Sequence, residues 1–115
     1  MTQHNPKISA CQMLDHANEA IHFAAGRQRN DLDEDRTLEL VLTRLIEIVG
    51  EAANRLPSEI QARHPEVDWR GIIGTRHRLA HGYDLVDLDI LWDIVAVEFP
   101  RLVAQLDVIL AAWSS

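Results

Sequence analysis

The sequence predicts an all-α protein, an up-and-down four-helix bundle with one extra short helix. Three observations lead there. Strand signals are nearly absent, since the 115 residues hold one Tyr, two Phe and no alternating β-branched run. Apolar residues recur at three-four spacing through long segments, as in helices that bury one face. The connections between those segments are short, which favours antiparallel neighbours. An apolar fraction of 47% is ample for one core, and the length is ordinary for a single domain, expected to span residues 1–115.

The first helix is written in Ala10, Met13, Leu14, Ala17, Ile21 and Ala24 and closes at Gly26. The second carries the strongest stripe, through Leu38, Val41, Leu42, Leu45, Ile48, Val49, Ala52 and Leu56. Asp31 or Asp33 can cap its start, and Pro57 ends it. PSEIQARHPEVDW then reads as a short helix and a turn, with Asp68 as N-cap of a third long helix. That helix runs through Trp69, Ile72, Ile73, Leu79 and Ala80, and Gly82 is placed to end it in a left-handed conformation. The last helix runs through Leu88, Leu91, Trp92, Val95, Phe99, Leu102, Leu106, Ile109 and Trp113. Pro100 should bend it near its middle, because proline removes a donor and crowds the preceding turn. Trp69, Trp92 and Trp113 all fall on apolar faces and read as core.

Charge and composition exclude several classes. A net charge of −7 argues against generic nucleic-acid binding, which needs cations to neutralise phosphates. The distribution is uneven, however. Residues 63–81 set Arg63, Arg70, Arg76 and Arg78 against Glu66 and Asp68, a local balance of +2 against −9 for everything else. An anionic ligand is drawn to that segment and repelled elsewhere. The most apolar stretch, Leu85 to Trp113, is interrupted by Asp89, Asp93, Glu98, Arg101 and Asp107, which rules against a membrane span. The lone Cys11 excludes an intrachain disulfide, and the opening MTQHNPK has no apolar run behind it. A cytoplasmic location is the expectation.

The stretch TRHRLAHGYDLVD, residues 75–87, gathers Arg76, His77, Arg78, His81 and the only tyrosine, Tyr83. By spacing alone, Arg76 can pair with a carboxylate while His81 satisfies carbonyls at a helix C-terminus. His77 and His81 lie at i and i+4, where two imidazoles can share a metal, with Asp84 or His64 as a third ligand. The neighbouring arginines repel such a cation. A site for an anion is the third reading. On an unbroken helix Arg76 and His81 diverge by about 140°. Convergence then needs the helix to unwind near Gly82, or a second subunit to bring its own copy opposite. Glu47 and Glu51 form another i, i+4 pair, with Arg44 and Arg55 within reach, and read as a solvated face.

From Glu34 to Leu110 the chain resembles the HepT-like proteins, HEPN-domain toxins paired with minimal nucleotidyltransferase antitoxins. The resemblance rests on RLIEIVGEAANRLP, HPEVDWRGIIGTRHRLAHGY and LWDIVAVEFPRLVAQL, in that order. The family motif is Arg, a polar residue, three variable positions, His, one position and Tyr. Here those are Arg76, His77, His81 and Tyr83, with His77 standing where relatives frequently carry Asn. The resemblance implies a metal-independent endoribonuclease of a type VII-like toxin–antitoxin pair. It also implies a homodimer in which two motif copies face each other, able to assemble further with its antitoxin. That antitoxin, a small nucleotidyltransferase, would transfer AMP to Tyr83 and so block the site. No cofactor and no metal are implied.

The residue types suit that chemistry. RNA is cleaved without metal when a base removes the 2′-hydroxyl proton and a cation stabilises the developing phosphorane charge. Histidine titrates nearest neutral pH, and arginine stays protonated and matches phosphate oxygens with a forked donor. The expected assignment is therefore His81 for proton transfer, Arg76 for phosphate stabilisation and His77 as a second proton-transfer group. Arg78 and Arg70 are the expected substrate-binding cations. The rival expectation is a non-catalytic helical HEPN module that only binds a nucleotidyltransferase.

Overall fold

The computed structural model describes residues 5–80, 82 and 85–113. They form helices α1 (Pro6–Ala24), α2 (Asp31–Glu34), α3 (Arg36–Asn54), α4 (Ser58–Arg63), α5 (Trp69–Ile73), α6 (Thr75–Leu79), α7 (Leu88–Asp93) and α8 (Phe99–Trp113). A π-helical turn, Ile94–Glu98, joins α7 to α8 without a break. Among these residues the fold is all-α, with one isolated antiparallel bridge between Ala80 and Val86. No helix of the described residues is long and apolar enough to cross a membrane.

Local chemistry sets the helix starts. The side chain of Asn5 accepts from the Lys7 N–H at 2.9 Å, and Pro6 occupies the first turn, where its missing donor costs nothing. The cap of α3 is Asp35, whose carboxylate accepts from the Leu38 N–H at 3.0 Å, rather than Asp31 or Asp33. Those two are engaged one turn earlier. Asp31 accepts from the Gln28 N–H at 2.7 Å, and Asp33 pairs with Arg29 at 3.2 Å, so α2 forms ahead of α3. The Leu38 bond holds the Asp35 carboxyl below the usual carboxylate range.

Helix α1 packs against both α3 and α8. Its buried face is built of small residues, Ser9, Ala10, Ala17 and Ala20 around Met13, which lets its neighbours approach closely. Leu42, Ile46 and Val49 of α3 and Leu91, Ile94, Val95, Phe99 and Leu106 of the last helix complete a nearly water-free centre. Gly50 is the close-approach point between α3 and α5. A Cβ there would lie 2.9 Å from the Ile72 carbonyl oxygen and 3.2 Å from Thr75 Oγ1. Because α5 leads directly to Arg76, this contact sets how near the motif sits to α3.

Two long helices differ from expectation. The third is split at Gly74, whose backbone (φ −87°, ψ 13°) leaves the helical region between α5 and α6. Glycine weakens a helix interior, and Thr75 turns its hydroxyl back to the Ile72 carbonyl at 3.0 Å. Asp68 does cap α5, its carboxylate accepting from the Gly71 N–H at 3.1 Å. In the last helix, the disturbance expected from Pro100 takes the form of the π-helical turn just before it, where the Phe99 N–H reaches the Ile94 carbonyl.

Candidate functional site

Helix α6 presents the motif, and it is short. Its cap residue Ala80 is already extended (φ −64°, ψ 130°), so the chain leaves helical geometry one residue before position 81. The 140° divergence of an unbroken helix therefore does not apply there, and the geometric case for a second subunit falls away. Below the motif the chain is clasped: Ala80 bridges Val86, and the Asp87 N–H donates to the Leu79 carbonyl at 2.8 Å. Gly82 has φ +69°, the left-handed conformation expected of it, and accepts from the Leu85 N–H at 2.9 Å. It does so in this loop rather than at a helix end. His81, Tyr83 and Asp84 lie outside the described residues.

Arg76 is far more open than Arg78, its side chain 89% exposed against 32%. Among the described residues, the carboxylate nearest to it is that of Glu47 on α3, with Nη2 and Oε2 4.0 Å apart and the Glu47 side chain 25% exposed. Glu47 in turn lies 3.7 Å from Arg44, which also reaches Glu51 at 3.5 Å. Arg55, expected near these acids, turns instead to Gln12 at 3.3 Å. The pair read as a solvated face thus includes a half-buried neighbour of Arg76. Helical spacing could not reveal it, because the approach of Arg76 is a contact between helices. One turn before Glu47, Thr43 holds a buried hydroxyl with no hydrogen-bond partner among the described residues.

Arg78 points elsewhere. Its guanidinium makes a forked pair with Glu98 of the π-helical turn, at 2.9 and 2.5 Å, and a further contact with the Gly71 carbonyl at 3.4 Å. Bonding to Glu98, partly offset by burial, raises the Arg78 pKa above the ordinary arginine value. The fork tethers α6 to the last helix, which is a structural task. His77 and Arg70 are exposed. His64 sits half-buried at the end of α4 with its ring 5.9 Å from that of Trp113. Trp69 is buried and donates to the His64 carbonyl at 2.9 Å, and Trp92 and Trp113 pack against the core.

The family model described as "Ribonuclease HepT-like" matches residues 13–109. The "Putative RNase TTE0752" of Caldanaerobacter subterraneus subsp. tengcongensis is 36% identical over 101 residues, 84% of this chain and 90% of the relative. The "Probable ribonuclease HepT" of Thermococcus cleftensis is 35% identical over 68 residues, 59% of this chain and 62% of its own. The "Putative RNase MJ1380" of Methanocaldococcus jannaschii is 26% identical over 109 residues, 95% of this chain and all of that one. No solved structure matches the chain.

Proposed function

The chain belongs to the HepT-like ribonuclease family, and on that premise we propose that it is a metal-independent endoribonuclease toxin, neutralised when a partner nucleotidyltransferase transfers AMP to Tyr83. The observation that carries the reading is Arg76, an open cation in a stretch, residues 63–81, where positive charge prevails, lining two grooves. In this mechanism His81 takes the proton of a ribose 2′-hydroxyl, whose oxygen attacks the adjacent phosphorus. Arg76 neutralises the extra charge on the non-bridging oxygens. The bond to the 5′-oxygen breaks, and that oxygen receives a proton from His77 or water, leaving a 2′,3′-cyclic phosphate. Arg70 adds an exposed cation along the RNA path, while Arg78 positions α6 through Glu98. The toxin works in the cytoplasm, in keeping with its single cysteine.

The test uses purified chain and defined RNA in excess EDTA. Cleavage that persists and leaves cyclic-phosphate ends supports the proposal. Activity that vanishes in EDTA and returns with zinc or magnesium favours a metal held by His77 and His81 instead. Binding to a nucleotidyltransferase without any cleavage would mark a non-catalytic module.

The active form is proposed to be a homodimer. The support for it is the family resemblance, in which two motif copies face each other. Light scattering should return twice the chain mass of 13.1 kDa. A monomer with full activity would refute the dimer.

A further inference from the structure

Two grooves meet at Arg76, and Glu47 lines both. The larger, about 420 Å³, has apolar walls in Leu79, Leu85 and Val86. The smaller, about 170 Å³, runs along α3, where Glu47, Glu51 and Asn54 line it together with Ile73, Thr75 and Arg76. Carboxylates beside a phosphate-binding arginine repel the backbone of a polyanion, so the smaller groove is a poor phosphate track. What a carboxylate accepts is an N–H donor, and on RNA those lie on base edges. Glu51 and Asn54 are three residues apart on α3 and so share a face. Together they offer a two-oxygen acceptor beside an amide that can donate. Guanine presents the complementary order along one edge: the O6 acceptor, then the N1–H and 2-amino donors.

Building on the ribonuclease reading, we propose that this groove is a base-specificity subsite that holds a guanine next to the scissile phosphate. Glu51 accepts from N1–H and the 2-amino group, Asn54 donates to O6, and Arg76 takes the phosphate. The ion pair that competes for Glu51, with Arg44 at 3.5 Å, joins side chains that are both more than half exposed, and such pairs yield readily. Glu47 lines both grooves, and the Arg76 guanidinium stands 4.0 Å from it, where the two meet. The base and phosphate positions are thereby adjacent.

The test has two arms. Guanosine, inosine and adenosine 3′-monophosphates are titrated into the purified chain and followed by amide NMR, while cut ends are mapped on a defined RNA. Guanosine 3′-monophosphate should bind about tenfold more tightly than the inosine nucleotide, which lacks only the 2-amino group. Glu51→Gln, which turns an amide donor toward donors, should erase that difference, and wild-type cuts should carry guanine at one fixed position. Absent binding, equal affinities, or a preference unchanged in Glu51→Gln overturns the subsite, whether or not RNA is cut. A guanosine preference that Glu51→Gln removes, in a chain that cuts no RNA, upholds the subsite and refutes the ribonuclease reading.

Discussion

His81→Ala is expected to slow RNA cleavage by at least about 10²-fold, the low end of what a positioned general acid or base contributes. The argument is one of available chemistry. Cleavage without metal needs a group that exchanges a proton near neutral pH, and histidine is the side chain whose ordinary pKa provides one. The motif supplies two, and His81 is the one at the family's histidine position. Arg76→Ala should lose a comparable factor for a different reason, because the phosphorane charge would be left without its forked donor. The two losses are separable in single-turnover rates followed against pH. His81→Ala should flatten the limb near neutrality, while Arg76→Ala should lower the whole profile and keep its shape. A His81→Ala protein that cuts at the wild-type rate would hand proton transfer to His77.

The second large effect concerns neutralisation. Co-expression with the cognate nucleotidyltransferase should add one or more adenylyl units to the chain and abolish toxicity. Tyr83 is the only tyrosine, so a tyrosine adduct has one address, and intact-mass analysis reads it directly. The added phosphodiester is an anion placed seven residues from an open Arg76, which it can bind by charge-assisted hydrogen bonds and so deny to RNA. Arg78 takes no part in that competition, since Glu98 occupies its fork. Tyr83→Phe should remain unmodified and, if it still cuts RNA, should escape control. Suppressed toxicity with no mass change would mean neutralisation by binding alone.

The long helices were legible because burial repeats along them: the stripes through Met13 and Ala17, through Leu42 and Val49, and through Leu91 and Leu106 all lie in the core. The split at Gly74 was not, since a lone glycine is tolerated in many helices, and here a threonine hydroxyl and the packing of α5 on α3 decide the outcome. Among four closely spaced aspartates and glutamates, spacing alone could not tell which one caps α3. The motif announced itself through residue types, yet the partners of its arginines did not. Glu47 lies 29 positions before Arg76 and Glu98 lies 20 after Arg78, and only the fold brings each pair together.

The π-helical turn bears on that second pairing. In an unbroken α-helix, positions seven apart fall nearly in line, whereas positions eight apart differ by about 80°. The π-helical turn Ile94–Glu98 takes in one residue more than an α-helical turn, which shifts the side chains around the helix axis, and Phe99 lies almost wholly buried as Leu91 does. Had the α-repeat continued, position 98 would have followed Leu91 into the core, and an acid there would have had to be buried among apolar side chains. The extra residue hands that place to Phe99 and swings Glu98 outward to meet Arg78. A single residue out of phase is therefore what couples the end of the bundle to the helix that carries the motif.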